Sequence, residues 1–373
     1  MIYLDNSATT RPYKEVVDLM ADIMYNHWGN PSSNYSFADD ARLLIEEART
    51  KIAADINCKP EEIIFTSSGC ESNSLAIRGF MQANPGYSLY VSCLEHSSIN
   101  SAIAFLLNPK VSIIPCDHMG FISPQYLNDT LSNKPFVSIA GASANIGAIQ
   151  DAKELADVVH SHNGIFHSDM TQLYPERKID VQALGLDIMT ISAQKFHGPR
   201  GAAFLYVKEG IPLKPIIYGT QENSLRGGTY NTAAICGMSK AIELTRDGAL
   251  QRVRALRDRL LKKLLKIPGT NLNGPPAEAT SRLLNNISLT IDSVDAEKLM
   301  TLCDLSGVII ARGSACQSHV PTPSKALKAI GLTDAQALST IRISLDEFNT
   351  VTEIDEAADI ITKLVERIRN EEN

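Results

Sequence analysis

The chain passes from Ile188-Met189-Thr190-Ile191 directly into Ser192-Ala193-Gln194-Lys195, and this change decides the fold. An apolar run rich in β-branched residues is typical of a buried strand, and the small and polar residues after it are typical of a turn. Further apolar runs alternate with helical stretches: Ile63 to Phe65, Leu89 to Val91, Val111 to Ile114, Phe136 to Ala140, Ile165 to Phe166 and Ala203 to Val207. This alternation predicts an α/β fold with a mostly parallel, buried sheet.

The pattern changes from about residue 249. Helical spacing is kept by Leu250, Val253, Leu256, Leu260 and Leu264. Strand-like runs follow at Asn286 to Ile291, Val308 to Ala311 and Thr340 to Ser344, and a closing helix is expected from Val351. We therefore expect a large domain over 16–248 and a smaller α+β domain over 1–15 and 249–373.

Composition and charge argue against two classes of partner. The 373 residues carry a formal charge of −7, whereas a protein that binds nucleic acid directly needs a concentrated basic face. No stretch approaches the roughly 18 consecutive apolar residues of a membrane span, and residues 1–5 lack the features of a signal peptide. We expect a cytoplasmic protein with no membrane segment.

The cysteines form no C-x-x-C pair and are odd in number: Cys58, Cys70, Cys93, Cys116, Cys236, Cys303 and Cys316. Neither a disulfide framework nor a metal site is indicated. Most of these side chains are expected to be small buried hydrophobes.

Lys195 is a candidate for covalent attachment of a carbonyl cofactor. Pyridoxal phosphate needs such a lysine, an acid facing its ring nitrogen and a site for its phosphate. Asp169 ends another predicted strand, and Gly69-Cys70 opens a helix after a strand, where free N–H groups can hold a phosphate. Each feature has an ordinary alternative, because lysine is usually a surface residue, aspartate often caps helices, and many helices begin in this way.

Motifs along nearly the whole chain occur together in a fixed order. They are Tyr3-Leu4-Asp5-Asn6-Ser7-Ala8-Thr9-Thr10, Gly29-Asn30-Pro31-Ser32-Ser33, Glu95-His96, Asp169-Met170-Thr171-Gln172, Ser192-Ala193-Gln194-Lys195, Arg226-Gly227-Gly228-Thr229-Tyr230-Asn231, Gly313-Ser314-Ala315-Cys316 and Ile341-Arg342-Ile343-Ser344-Leu345. This set resembles the class V aminotransferases, and within them the cysteine desulfurases that supply sulfur for iron–sulfur clusters and thiolated tRNA. The resemblance implies pyridoxal-phosphate fold type I, with a seven-stranded sheet in the large domain.

The resemblance also implies roles around the cofactor ring. Lys195 matches the Schiff-base lysine, Asp169 the partner of the pyridinium nitrogen and Gln172 the donor to the ring hydroxyl. His96 matches the residue that stacks on the ring and moves protons, although an ordinary surface histidine is the alternative. Arg342 matches the arginine that binds the substrate carboxylate in a bidentate pair.

A second group of matches concerns the cofactor phosphate. Ser192 and the Gly69-Cys70 backbone resemble the phosphate site, and Gln194 stands where the family has a histidine that donates to the phosphate. Thr229 resembles the residue that reaches this site from a second subunit. The resemblance therefore implies a homodimer.

Cys316 distinguishes a desulfurase from an ordinary aminotransferase. It lies in a loop rich in small and polar residues, where a thiolate is accessible, and its spacing to Ser324 matches the long-loop branch of the family. The implied reaction turns L-cysteine into L-alanine and leaves sulfur on Cys316 as a persulfide. A sulfur-acceptor or scaffold protein would then receive it.

Several departures from the family pattern leave alternatives open. Ala144 stands where an asparagine contacts the cofactor ring, Gln194 replaces a histidine and Cys70 replaces a threonine. Arg312, near Cys316, either favours the thiolate or is a solvated side chain. A lyase acting on selenocysteine or another β-substituted amino acid, and a divergent paralogue that mainly binds a partner, are the alternative functions.

Overall fold

The structure is a computed structural model that describes residues 1–107, 109–245, 249–313 and 322–372. Its strands are β1 (Ile2–Tyr3), β2 (Ile63–Thr66), β3 (Ser88–Ser92), β4 (Val111–Ile114), β5 (Pro135–Ser138), β6 (Ile165–Asp169), β7 (Ile188–Ser192), β8 (Ala203–Val207), β9 (Thr270–Leu272), β10 (Asn286–Ile291), β11 (Val308–Ile309), β12 (Ala311–Arg312) and β13 (Thr340–Ser344).

The helices surround these strands. They are α1 (Lys14–Asn26), α2 (Asp39–Ile56), α3 (Gly69–Ser74), α4 (Phe80–Ala83), α5 (Ser97–Ala104), α6 (Pro124–Thr130), α7 (Ala152–Ser161), α8 (Val181–Leu184), α9 (Thr232–Leu244), α10 (Ala249–Leu264), α11 (Ala296–Leu305), α12 (Lys325–Ala329), α13 (Asp334–Leu338) and α14 (Val351–Glu372). A π turn at Leu75–Gly79 joins α3 to α4.

The large sheet has seven strands in the order β2-β8-β7-β6-β5-β3-β4. Neighbouring strands are parallel except β8, which runs antiparallel to both β2 and β7. Each strand coincides with one of the apolar runs in the sequence, so the predicted α/β fold with a mostly parallel seven-stranded sheet is confirmed.

Both faces of this sheet are buried, as a parallel sheet requires, except on the edge strand β4, where Ser112 and Ile113 are exposed. Successive side chains of a strand point to opposite faces. In β2, Ile63 and Phe65 pack into one apolar cluster and Ile64 into another, and in β3 Tyr90 and Leu89 are divided in the same way. Helices therefore cover the sheet on two sides and leave its strand ends open for function.

A second apolar core lies in the later part of the chain. An antiparallel sheet of β12-β13-β10-β9 packs with α10, α11 and α14, and Ile2 and Leu4 join this core from the other end of the chain. The expected run Val308 to Ala311 is divided, because β11 pairs with β1 whereas β12 pairs with β13. We propose that the two cores are two domains, over 16–248 and over 1–15 with 249–373.

The expectation that most cysteines are buried hydrophobes is wrong for the residues described. Cys236 and Cys303 are buried, but Cys58, Cys93 and Cys116 are half-buried and Cys70 is exposed. The exposed and half-buried thiols lie at the ends of strands and helices, where packing is incomplete.

Candidate active site

The candidate site lies at one edge of the large sheet. β2, β3, β6 and β7 run in the same direction, so their carboxyl ends meet at this edge. α3 follows β2, His96 follows β3, Asp169 ends β6 and Lys195 follows β7. Ligands of α/β proteins bind at such an edge.

Lys195 ends a single 3-10 turn, Ala193–Lys195, directly after β7. Its Nζ donates to the carbonyl oxygen of Ser7 at 2.7 Å and to that of Ala8 at 2.5 Å. Burial, and then the nearby charge of Arg342, lower the pKa of Lys195 to about 8. A substantial fraction of the amine is therefore neutral near physiological pH, which is the form that attacks a carbonyl group.

Asp169 is held at the end of β6 by two donors. The backbone N–H of Thr171 donates to Oδ1 at 3.1 Å, and Nδ2 of Asn73 donates to Oδ2 at 2.8 Å. The same amide nitrogen of Asn73 also donates to Oγ of Ser98 at 2.9 Å. The buried Asn73 thus links the carboxylate of β6 to the start of α5.

His96 completes this chain of hydrogen bonds. It is the N-cap of α5: its Nδ1 accepts from the Ser98 N–H at 3.2 Å and lies 2.8 Å from Ser98 Oγ. Because Nδ1 accepts, the proton of the neutral ring is on Nε2. His96 is an exposed residue, but burial of its ring by the surrounding protein lowers its pKa. The charges of Lys195 and Arg342 act in the same direction, and that of Asp169 opposes them.

The alternatives for His96 and Asp169 each describe part of the local structure. His96 is exposed, as a surface histidine would be, and Asp169 accepts from the Thr171 N–H in the turn after β6. The alternatives are incomplete, because the charges of Asp169, Lys195 and Arg342 all act on His96.

Gly69 and Ser192 form a close approach between α3 and β7. A Cβ added at Gly69 would lie 3.4 Å from Cβ of the buried Ser192. Ser68 caps α3, with its Oγ accepting from the Glu71 N–H at 3.2 Å. The first N–H groups of α3, including those of Gly69 and Cys70, have no acceptor within the helix and are suited to an anion. The Cys70 side chain is exposed.

Thr229 lies in a segment that is anchored on α3. Nε of Arg226 donates to Oε1 of Glu71 at 2.8 Å, and this bond, with donors from Ser67, lowers the pKa of Glu71 although burial opposes it. Gly227 passes so close to Tyr218 that a Cβ there would be 2.2 Å from the Tyr218 carbonyl oxygen. Thr229 itself is exposed, and no described hydrogen bond joins it to Ser192.

Arg342 extends from β13 toward the N-terminal segment. Its Nη2 donates to Oδ1 of Asp5 at 2.8 Å. Its buried Nε has no acceptor within the described ranges. The segment that carries Asp5 also holds Lys195 through Ser7 and Ala8, and Nε2 of Gln172 donates to Ser7 at 3.1 Å. The N-terminal segment therefore brings Arg342, Gln172 and Lys195 together.

Gln194 and Ala144 are held in position by hydrogen bonds to their backbone carbonyl groups. The carbonyl of Gln194 accepts from N and Oγ1 of Thr10 at 2.8 and 3.0 Å, and that of Ala144 accepts from Nδ2 of Asn286 at 2.9 Å. These bonds fix the two loops but assign no contact to either side chain. Whether Gln194 donates to a phosphate stays a prediction.

Sequence reasoning missed Glu95 as a member of the site. Its Oε1 accepts from the Ala140 N–H at 2.6 Å, and its buried Oε2 has no partner among the described residues. Burial, with a contribution from the charge of Asp169, raises the pKa of Glu95 to about 8. The raised pKa favours the uncharged, protonated carboxyl group beside Asp169.

Cys316 lies outside the described residues, which resume at Thr322. On the near side of that gap, Nη1 of Arg312 donates to Oε2 of Glu297 at 2.9 Å. Arg312 is thus an ion-pair partner of α11, and its effect on the Cys316 thiol stays a prediction.

The residues present fit pyridoxal phosphate. The partly neutral Lys195 suits its carbonyl group and the doubly held carboxylate of Asp169 suits its ring nitrogen. The close approach of Gly69 to Ser192 brings the N–H groups at the start of α3 and the Ser192 hydroxyl together, which suits its phosphate. These groups lie on separate strand ends of one sheet edge. Each of these groups therefore suits a different part of the cofactor.

Comparison with known proteins agrees with this chemistry. The model of the class-V aminotransferase family matches residues 2–357, so the chain belongs to that family. It is 37% identical to cysteine desulfurase IscS of Dictyoglomus turgidum, over 99% of this chain and 95% of that protein. Within the family, the chain is a member of the pyridoxal-phosphate-dependent cysteine desulfurases.

Solved structures support the same assignment. A NifS-like protein from Rickettsia africae is 32% identical, with a TM-score of 0.87 and 99% of each chain covered. SspA, solved in complex with cysteine, is 29% identical, with a TM-score of 0.82, and covers 94% of this chain and 100% of its own. In the described part of this chain, no helix is both long and apolar enough to cross a membrane.

Proposed function

We propose that this protein converts L-cysteine to L-alanine and takes the sulfur onto Cys316 as a persulfide, for iron–sulfur cluster assembly or tRNA thiolation. The observation that carries the proposal is the meeting of Lys195, Asp169, His96 and Arg342 at one sheet edge. No two of these residues are neighbours in the sequence, so the fold alone brings them together.

Each residue has a defined task in this reaction. Pyridoxal phosphate, when bound, supplies the electron-withdrawing ring that makes the proton on the substrate α-carbon removable. Lys195 accepts that proton, because burial keeps part of its amine neutral. Asp169, held by Asn73, keeps a proton at the ring nitrogen, and Nε2 of His96 holds a second movable proton.

Arg342 binds the carboxylate of L-cysteine in this proposal. Its buried Nε, which no described residue accepts from, is a donor left for a ligand. Its present ion pair with Asp5 holds the guanidinium in position while the site is open. A bidentate pair with the substrate carboxylate orients the amino acid, and lysine could not replace that geometry.

The sulfur step uses Cys316 as nucleophile. Its thiolate attacks the sulfur of L-cysteine, the S–S bond forms, the Cβ–S bond breaks, and Cβ takes a proton. L-Alanine leaves and Cys316 holds the persulfide, so atoms and electrons balance without a further reactant. A sulfur-acceptor or scaffold protein then takes the persulfide sulfur.

We also propose a homodimer, in which Thr229 serves the phosphate site of the neighbouring subunit. The support is an exposed aromatic surface that includes Trp28, Tyr35, Phe37 and Tyr218, with Trp28 71% and Tyr218 84% exposed. These aromatic residues lie in two segments, one around residues 28–37 and one around residue 218, and Nε2 of Gln221 donates to Oγ of Ser32 at 3.5 Å between the two segments. Exposed apolar patches of this kind mark protein interfaces. The free thiols fit the reducing cytoplasm, which we propose as its location.

The test measures alanine and sulfide formed from L-cysteine, with reductant present, by wild type and by Cys316→Ser. Wild type should release both products in equal amounts. Cys316→Ser should still change the absorption of the bound cofactor when cysteine is added, but should release almost no sulfide, because a hydroxyl is a much weaker nucleophile than a thiolate. Equal sulfide release by both proteins would refute the role of Cys316, and absence of alanine from wild type would refute the function. Faster turnover of L-selenocysteine would favour the lyase alternative.

A further inference from the structure

Two thiols lie together at the β3–β4 edge of the large sheet, and neither has been assigned a role in the reaction. Cys93 follows β3 and Cys116 follows β4, and these strands are parallel neighbours with Ser92 opposite Ile114. The ladder continues past β3, because the Cys93 N–H donates to the Ile114 carbonyl oxygen at 3.0 Å. Cys93 is therefore opposite Pro115, and Cys116 is the next residue along.

The distance between adjacent strands suits a disulfide. Neighbouring strands are about 4.7–4.9 Å apart and each residue advances about 3.3 Å, so an offset of one residue puts the two Cα atoms roughly 6 Å apart, and the Cα atoms of bridged cysteines are usually about 4.4–6.8 Å apart. Cys93 and Cys116 also pack against one apolar cluster, formed by Leu94, Ile146, Ala148 and residues of α12 and α13. The proximity of the two thiol groups lowers the pKa of Cys93 and raises that of Cys116. Both side chains are half-buried, so small reagents can reach them.

We propose that Cys93 and Cys116 are a reactive dithiol site that a peroxide oxidises to an intramolecular disulfide. Cys93 has the lower pKa of the two thiols and therefore forms a thiolate more readily. This thiolate attacks one oxygen of hydrogen peroxide, an S–O bond forms, the O–O bond breaks and water leaves. The sulfur of Cys116 then attacks that of Cys93, the S–S bond forms, the S–O bond breaks and a second water leaves. Two thiols are oxidised and one peroxide is reduced to two waters. A disulfide of this kind inside cells is a transient or redox-sensing one.

The site touches both parts of the protein that the desulfurase reaction uses. Cys93 is separated from His96 only by Leu94 and Glu95. Sγ of Cys116 lies 3.7 Å from the carbonyl oxygen of Ala329, at the end of α12, and α12 is the first helix described after residue 313. Formation of the disulfide withdraws the Cys116 thiol from this contact.

The full-length protein with cofactor bound, first reduced and then treated with hydrogen peroxide, gives the direct test. Remaining thiols are alkylated and the protein is digested with trypsin, which places Cys93 in 79–110 and Cys116 in 111–153, each as the only cysteine of its peptide. We expect these two peptides to be linked, and the link to disappear with dithiothreitol. The proposal would be overturned if both cysteines stayed free and were alkylated at peroxide concentrations that oxidise Cys316. It would also be overturned if Cys93 were linked instead to peptide 313–325, which contains Cys316.

Variants test the order of attack. In Cys116→Ser, a sulfenic-acid probe should label Cys93, and in Cys93→Ser it should label Cys116 at least about tenfold more slowly. Equal labelling in the two variants would overturn the assignment of Cys93 as the attacking thiol. Cys303→Ser is the matched control, because Cys303 is buried in the other core and its loss should leave the linked peptides unchanged. The linked peptides are measured in wild type, so the test holds even if a variant folds poorly.

Discussion

The side-chain amide of Asn73 donates to the carboxylate of Asp169 at 2.8 Å. Asn73 has two amide hydrogens, and the second is donated to Ser98, whose hydroxyl lies against Nδ1 of His96. One buried side chain on α3 therefore positions Asp169, the acid proposed to face the ring nitrogen, and, through Ser98, positions His96. Asn73 is a positioning residue, since it acts through its neighbours.

Replacement of Asn73 by alanine should weaken cofactor binding about tenfold or more, because a hydrogen bond to a charged group is worth about 1.5–3 kcal/mol. The dissociation constant of pyridoxal phosphate from the variant measures this. The bound cofactor should also show an altered pH dependence of its absorption, which a purely structural role would not change.

Ser98→Ala is the control that separates the two ends of this chain of hydrogen bonds, Asp169 at one end and His96 at the other. It leaves the bond between Asn73 and Asp169, so cofactor affinity should stay within about twofold of wild type. It removes a donor to Nδ1 that favours neutral His96, so the pKa of His96 should rise and the acidic limb of the kcat/KM profile should move to higher pH. Loss of cofactor affinity equal to that of Asn73→Ala would contradict the separation.

The lowered pKa of Lys195 predicts how the cofactor-free protein takes up pyridoxal phosphate. Only the neutral amine attacks the carbonyl, so the rate of uptake should rise about tenfold per pH unit below pH 8 and level off above it. Lys195→Ala should lack the yellow band that borohydride reduces. Stopped-flow absorbance across pH 6 to 10 measures the midpoint.

Arg342→Met tests the cause of that lowered pKa. The charge of Arg342 lowers the pKa of Lys195, so its removal should move the midpoint to higher pH and slow uptake at pH 7. Arg254→Met, on α10 beside Asp258, removes an equal charge elsewhere and should leave the midpoint unchanged. An unchanged midpoint in Arg342→Met would show that burial alone sets the pKa.

The sequence predicts the strands of the large sheet well, because a strand buried on both faces must be a continuous apolar run. It also offers Lys195 and Asp169 as candidates, because each stands at the end of such a run, whereas His96 is reached through the family resemblance. Asn73 and Ser98 have no sequence signal, since their importance depends on a meeting of α3 with α5 that no spacing rule describes. The pairing of Cys93 with Cys116 was missed for the same reason: it follows from strand order, not from proximity in the chain.

Cys70→Thr should strengthen binding of pyridoxal phosphate. The exposed Cys70 lies at the start of α3, where a hydroxyl can donate to a phosphate and a thiol donates weakly. One added hydrogen bond is worth about 1 kcal/mol, which corresponds to about a fivefold lower dissociation constant. Cys70→Val has the same shape without the hydroxyl and should bring no gain. Equal affinities for the two variants would place the phosphate away from residue 70.

Without cofactor, Glu95→Gln should become increasingly more stable than wild type as the pH rises. In wild type, the raised pKa of Glu95 means that folding favours the protonated carboxyl, so the stability it contributes is complete below pH 4.5 and is lost as the pH rises to about 8. The amide variant lacks this loss, so its advantage over wild type in the free energy of unfolding should grow over that interval by about 1.4 kcal/mol per pH unit, to on the order of 5 kcal/mol.

Glu71→Gln should behave in the opposite way and serves as the control. The pKa of Glu71 is lowered, so its carboxylate stabilises the fold above its ordinary pKa and loses that effect as the pH falls. The variant should therefore be less stable than wild type at pH 7 and approach it in acid. Urea unfolding at a series of pH values measures both variants, and parallel curves for Glu95→Gln and wild type would contradict the raised pKa.

The proposed homodimer makes a prediction about Thr229, which the structure leaves exposed at the end of a segment anchored on its own α3. Thr229→Glu should weaken cofactor binding through repulsion of the phosphate, whereas Thr229→Gln, of the same size without the charge, should weaken it less.

A mixed dimer of Lys195→Ala with Thr229→Glu then decides which subunit's site Thr229 serves. If it reaches across, one site combines the intact Lys195 of the second subunit with the intact Thr229 of the first, and the mixed dimer recovers up to about half of the wild-type activity per dimer, one intact site of two. If Thr229 serves its own subunit, neither site is intact, and activity stays at or below that of the Thr229→Glu homodimer. Differently tagged chains allow the mixed dimer to be purified. A wild-type protein that sediments as a monomer and is fully active would refute the dimer itself.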